Sequence, residues 1–367
     1  MARPEDLSAW LRLLRTPGLG RDSARRLLAS CGSPDAVFAT RPAALRELTG
    51  PLLATALGVE PEGHTEQLAA TLAWLEADAS HHVLTLGDAA YPALMLETAD
   101  PPLLLYAQGR LELLNAPALA VVGSRNPSAQ GVDNARAFAE HLSRVGLTIV
   151  SGLALGIDGA AHAGGLAGRG STVAVFGTGL DRIYPARHRA LAHRIAAEGL
   201  LLSEFDLGMP PLPDNFPRRN RLIAGLSRGT LVVEAALASG SLITARQAIE
   251  AGREVFAIPG SIHSPQSRGC HALIKQGAKL VESADDILGE LNWAAVPPGA
   301  PGTVMPAPDA GETALLSALG HDPVTLDALL ARTGESAASL SAQLLELELY
   351  GRVARLPGGL YQRRNVS

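Results

Sequence analysis

Two kinds of residue in this chain are suited to holding phosphate. Phe216-Pro217-Arg218-Arg219-Asn220-Arg221 sets three arginines and no acid beside an aromatic ring. The guanidinium fork donates in pairs to a phosphate edge, and a ring offers a face on which any base can stack. The run reads as part of a groove for a single nucleic-acid strand, with an exposed basic helix start as the alternative. The second kind is rich in glycine: Gly123-Ser124-Arg125, Ser151-Gly152-Leu153-Ala154-Leu155-Gly156 and Gly177-Thr178-Gly179 each follow an apolar run. Glycine lets backbone N–H groups close on an anion, and a following helix N-terminus adds about half a positive charge. Tight strand–helix turns are the plainer use of the same glycines. Arg125 would be the fixed cation of the first loop, and Gly240-Ser241 opens the helix containing Thr244 with a further anion-facing N-terminus. Arg182, Arg187, Arg189 and Arg194 are expected on one more helix, a solvated face that at most extends the positive track.

Enzymatic templates fit less well. A P-loop needs glycine directly before its lysine, whereas Lys275 follows Ile274 and Lys279 follows Ala278, which excludes ATP hydrolysis of that type. No strict Gly-x-Gly-x-x-Gly opens the first helix, and no acid stands at the ribose position, so no nucleotide cofactor is expected. Gly225-Leu226-Ser227-Arg228-Gly229 spells a serine elbow, but here helix precedes and strand follows, the reverse of what the elbow requires. Histidines at 81, 82, 162, 188, 193, 263 and 271 show no cluster of ligands, and no metal is expected.

The elements that must position these residues can be read from periodicity. Apolar runs at Leu119–Val122, Leu147–Val150, Thr172–Phe176, Leu200–Leu202, Thr230–Val233 and Glu254–Ile258 alternate with helical stretches such as Ser128–Val145 and Thr244–Ala251. Fully apolar strands between helices indicate a parallel sheet covered on both faces. The expectation over 81–292 is an α/β domain, a doubly wound and mostly parallel sheet, with Val83–Leu86 and Leu103–Tyr106 at one edge. Ligands of such sheets collect at the carboxyl ends of the strands, where the three glycine loops fall.

Residues 1–80 read as a small helical domain, with Leu7, Trp10, Leu11 and Leu14 at helical spacing and Ala24, Leu27 and Leu28 after a turn. That turn, Thr16-Pro17-Gly18-Leu19-Gly20, resembles a helix-hairpin-helix (SAM-like) element and equally an ordinary helix–helix connection. Residues 293–311 form a Pro/Gly-rich linker, and within 312–367 come three helices, Glu312–Leu319, Thr325–Ala331 and Ser336–Leu349. A hairpin over Gly351–Leu356 and Leu360–Gln362 completes the order of a winged helix. Glu335, Glu346 and Glu348, with no basic residue on the last helix, favour a protein-contact role over duplex binding.

Composition constrains the setting. The 367 residues carry a net charge of −5, so any polyanion must be met by a local patch rather than by the whole surface. Lys275 and Lys279 are the only lysines, which leaves arginine as nearly all the basic charge. No apolar run reaches the about 18 residues of a membrane span, and the charged N-terminus does not suit a signal peptide. Cys31 and Cys270 are too few and too far apart for a disulfide framework. A cytoplasmic, reducing setting without membrane association is expected.

Several long motifs resemble a known family. Val122-Gly123-Ser124-Arg125, the run from Ser151 to His162, and Asn215-Phe216-Pro217-x-Arg219-Asn220-Arg221-Leu222-Ile223-Ala224-Gly225-Leu226-Ser227 are similar to DprA, the DNA-processing protein of natural transformation. Ser239-Gly240-Ser241-Leu242-Ile243-Thr244-Ala245 and Val255-Phe256-Ala257-Ile258-Pro259-Gly260 continue the match in order. The resemblance implies an extended Rossmann-like domain through which the chain forms a homodimer, and a protein that binds and protects single-stranded DNA and loads the RecA recombinase onto it, without enzymatic activity. By position it implies a phosphate pocket of Gly123, Ser124, Arg125, Phe216, Arg219, Asn220, Arg221, Gly240 and Ser241, to which the basic run adds Arg218. The domain also resembles the cytokinin-activating phosphoribohydrolases, which cleave nucleoside monophosphates. Here, however, the loop lacks its Pro-Gly-Gly lead, and Glu234 falls one residue late, a shift that turns a strand side chain to the opposite face. That hydrolase and a duplex-binding regulator using 312–364 are the alternative functions.

Overall fold

The computed structural model describes residues 4–293, 310–320, 323–349, 352–356 and 359–363. Positions 294–309 of the expected linker, and Gly351, Pro357 and Gly358 of the expected hairpin, lie outside the described residues. Six helices come first: α1 (Pro4–Arg15), α2 (Arg21–Cys31), α3 (Pro34–Ala39), α4 (Pro42–Thr49), α5 (Pro51–Leu57) and α6 (His64–Ala77). The α/β region follows in the order β1 (His81–Thr85), β2 (Leu104–Gly109), β3 (Ala118–Val122), α7 (Ala129–Arg144), β4 (Thr148–Ser151), α8 (Ile157–Gly165) and β5 (Thr172–Val175). It continues with α9 (Arg189–Glu198), β6 (Leu200–Ser203), α10 (Asn215–Gly225), β7 (Gly229–Val232), α11 (Ser241–Glu250), β8 (Glu254–Ala257), α12 (Arg268–Lys275), β9 (Lys279–Leu280) and α13 (Ala284–Glu290).

The sheet runs β1-β2-β6-β5-β4-β3-β7-β8-β9, antiparallel across β1, β2 and β6 and parallel from β6 to β9. Every residue of β3, β4, β5, β6 and β7 is buried, as expected for strands with helices on both faces. Alternate residues feed two cores. Val122, Val150 and Val232 pack with Ile223 of α10 and Ala245 of α11, while Leu119, Val121 and Ile149 pack with Leu142 of α7 and Ile157 of α8. The N-terminal helices join the same body, because Leu7, Leu11 and Leu27 share a cluster with Tyr106, Phe176 and Leu201. Strand β9 has no counterpart among the expected runs, since two exposed residues carry no periodicity.

The chain winds from β3 outward through β4 and β5 to β6, then returns through α10 to β7 on the other side of β3. This reversal opens a crevice at the carboxyl ends of β3 and β7, the place where α/β sheets receive ligands. After the sheet come α14 (Ala310–Leu319), β10 (Val324–Thr325), α15 (Leu326–Thr333), α16 (Ala337–Leu349), β11 (Val353–Leu356) and β12 (Leu360–Arg363). Their small sheet is ordered β10-β12-β11, and Leu316, Leu329, Leu340 and Leu344 fill its core. This is a winged helix.

Candidate nucleic-acid interface

A pocket of about 720 Å³ occupies the crevice. Helix α10 supplies its wall by simple periodicity: Phe216, Arg219, Asn220 and Ile223, spaced i, i+3, i+4, i+7, all line it. Gly123, Ser124 and Arg125 enter from the end of β3, and Gly240, Ser241 and Thr244 from the start of α11. Asn220 ties the two helices together, its Nδ2 donating to the Gly240 carbonyl at 3.4 Å.

Arg125 is exposed, with its guanidinium 5.9 Å from the centre of the Phe216 ring. Arg219 is the opposite case, only 3% exposed, with Nη1 donating to the Val175 carbonyl at 2.6 Å and Nε without a partner among the described residues. Burial lowers its pKa to about 10, opposed by the Asp158 carboxylate and reinforced by Arg125, and the group stays cationic at neutral pH. A Cβ at Gly152 would collide with the Arg219 guanidinium, so the second glycine loop is built around this side chain.

That loop does not offer its amides to a ligand as its composition suggests. The N–H groups of Gly152 and Ala154 donate to the Asp158 carboxylate at 3.1 and 3.3 Å, and Leu153 N–H donates to His162 Nε2 at 3.2 Å. The anion at the start of α8 is thus the protein's own Asp158. Burial pushes that carboxyl up, against the pull of Arg219 and the two amides. His162 is fully buried, its Nδ1–H donating to Thr172 Oγ1 at 2.7 Å, while the Thr172 hydroxyl donates onward to the Ile149 carbonyl at 2.6 Å. With both ring nitrogens committed, desolvation first and then His188 and Arg219 drive its pKa down to about 3. The third loop contributes a seat: a Cβ at Gly177 would stand 2.9 Å from Cδ1 of Phe216, so the ring rests on bare backbone.

Two members of the basic run lie elsewhere. Positions 218 and 221 fall on the face of α10 that turns from the pocket. Arg218 is exposed, 5.4 Å from the Phe205 ring centre. Arg221 binds the carboxylate of Glu204 and donates to the Asp100 carbonyl at 2.5 Å, with 14% of its side chain exposed. Arg21 and Arg25 of α2 reach the Asp100 carboxylate at 2.6 and 2.5 Å, so this cluster clamps the N-terminal helices to the α/β region. Burial pushes Asp100 up, yet Arg221, Arg25 and Arg21 together hold its carboxyl below the usual range. Arg221 is therefore a structural residue here, not a wall of the pocket. The expected single arginine helix also divides: Arg182 lies in a loop, Arg187 in a short 3-10 turn (Ala186–His188), and only Arg189 and Arg194 on α9.

Glu234 does not line the pocket. Its carboxylate accepts from Ser128 N–H at 2.9 Å and from the Ser128 hydroxyl at 2.5 Å, and Ser128 caps α7 through Gly131 N–H at 3.0 Å. The described residues hold no group of three or more His, Cys, Asp or Glu side chains that could bind a metal, and no helix among them is long and apolar enough to cross a membrane. Asp158 and Tyr184 are among the pocket residues outside the sequence reading. Asp158 was legible as an acid in the first turn of a helix after a glycine loop, and Tyr184 only as a ring among the arginines 182, 187 and 189.

The family model for DNA recombination-mediator protein A matches residues 82–292, and that for the DprA winged helix domain matches 297–359. Protein Smf of Escherichia coli strain K12 is 46% identical over 311 residues, 82% of each chain. The X-ray structure of DNA processing protein A from Streptococcus pneumoniae superposes with a TM-score of 0.67 at 38% identity, covering 79% of this chain and 98% of that one. DNA processing protein A from Helicobacter pylori, solved for its single-stranded DNA binding mode, gives 0.52 at 31% identity over 57% and 96% of the two chains. Because the first model spans more than half the chain and the Escherichia coli protein is matched along most of its length, this chain belongs to the DprA family of DNA recombination mediators.

Proposed function

We propose that this protein binds and protects single-stranded DNA in the crevice pocket and loads RecA recombinase onto that strand, in the cytoplasm, during DNA uptake and recombination. The observation that carries the reading is Arg125, an exposed cation at the end of β3 that lies over the Phe216 ring and lines the same pocket as the buried Arg219. A phosphate held between Arg125 and the Gly123-Ser124 and Gly240-Ser241 backbone leaves its base against the ring, an arrangement that suits an unpaired strand. The single-stranded DNA binding of the Helicobacter pylori relative supports the same reading. Asn220 positions the α11 end of the pocket, and Arg218 serves as an outlying cation. The homodimer through the α/β domain and the hand-over to RecA rest on the motif resemblance.

A mobility-shift titration against an oligonucleotide and its duplex tests this. Affinity for the single strand falls with salt, and Arg125→Ala lowers it while making the log–log salt slope shallower by roughly 0.7 to 1. Unchanged binding by that variant overturns the pocket. Release of free base from AMP, lost in Glu234→Ala, would instead establish the hydrolase alternative. Size-exclusion chromatography of the full chain reads the dimer.

A further inference from the structure

Tyr184 lines the pocket and leaves 51% of its surface in solvent. Its ring centre lies 5.7 Å from that of Phe216, with the planes inclined at 45°. We propose that Tyr184 and Phe216 form a two-ring platform on which two successive bases of a bound strand rest, one on each ring, and that Tyr184 makes the pocket selective for single strands. This rests on the single-stranded DNA reading above.

The ring geometry decides between modes of stacking. A base sandwiched between two rings needs parallel planes about 7 Å apart, two stacking contacts of about 3.5 Å. The two planes here are closer and strongly inclined, so nothing inserts between them and each ring offers its own face. Centres 5.7 Å apart exceed the roughly 3.4 Å rise per nucleotide of a stacked helix. Bases laid on both rings are consequently splayed from one another, which a single strand allows and a duplex does not. Phe216 is fixed from below by Gly177, and the exposed Arg125 guanidinium lies over the ring at 5.9 Å from its centre, close enough to take the phosphate joining the two nucleotides. Tyr184 sits in the connection between β5 and α9 with Arg182 and Arg187, both exposed and neither ion-paired among the described residues, and these carry the strand onward from the platform.

The test compares the full-length wild type with Tyr184→Ala and Tyr184→Phe on three ligands: an oligothymidylate, an abasic strand of equal length, and a duplex. Tyr184→Ala lowers affinity for the oligothymidylate by roughly 5- to 150-fold, the range of one lost base–aromatic stack. Tyr184→Phe retains it, because the ring and not the hydroxyl does the stacking. On the abasic strand wild type and Tyr184→Ala coincide, and the preference for single strand over duplex narrows in the alanine variant. Equal losses on the two single strands, or no loss on oligothymidylate, overturn the platform while leaving strand binding intact. A wild type that binds no single strand overturns the functional reading itself. Thermal melting confirms that each variant is folded.

Discussion

The Nη1 of Arg219 donates to the carbonyl of Val175 at 2.6 Å, joining the helix of the basic run to the end of β5 across the floor of the pocket. The bond makes Arg219 part of the scaffold as well as part of the charge. Arg219→Ala takes the donor from that carbonyl and removes a cation facing the buried Asp158 carboxylate, which keeps its two backbone N–H donors, and it is expected to cost about 1–3 kcal/mol. Exposed Arg125→Ala stays within about 0.5 kcal/mol of the wild type. Urea denaturation of the two variants separates the roles.

Arg221→Ala removes the buried partner of Glu204, whose side chain is 5% exposed. It is expected to destabilise by about 3–5 kcal/mol and to loosen the N-terminal helices, since Arg21 and Arg25 share the same acidic pair. Limited proteolysis reads that loosening as faster cutting near residue 80. The affinity of the folded fraction for single-stranded DNA stays at the wild-type level; a large loss would return Arg221 to the pocket.

Gly177→Ala pushes a methyl against the Phe216 ring, which must tilt outward. Overpacking of this kind costs about 1–3 kcal/mol. Strand affinity falls as well, because the ring leaves its seat, and a denaturation curve paired with a mobility shift measures both effects.

His162 should make stability fall with acid. Its folded pKa of about 3 lies below the unfolded value of about 6.5, so the unfolded chain takes up the proton first. The stabilisation is complete above pH of about 6.5 and is lost as pH drops toward 3, by up to about 1.4 kcal/mol per unit. Denaturation midpoints at pH 7 and pH 5 should differ more in the wild type than in His162→Gln; equal differences would count against the assignment.

The alternation of apolar strands and helices, the edge strands, the winged-helix order and the family were all legible, because each depends on local periodicity or on motif order. The pocket face of α10 was legible too, once positions 216, 219, 220 and 223 are read at helical spacing rather than as one basic run. Only the tertiary structure decided what each charge does. Arg221 meets Asp100, 121 residues away in the chain, and the sheet rather than the helix brings them together. Likewise the glycine loop that looks made for a phosphate already holds Asp158, since a buried amide takes whichever anion the fold places against it. Sequence determines which groups can bind an anion, and packing determines which of them remain free to do so.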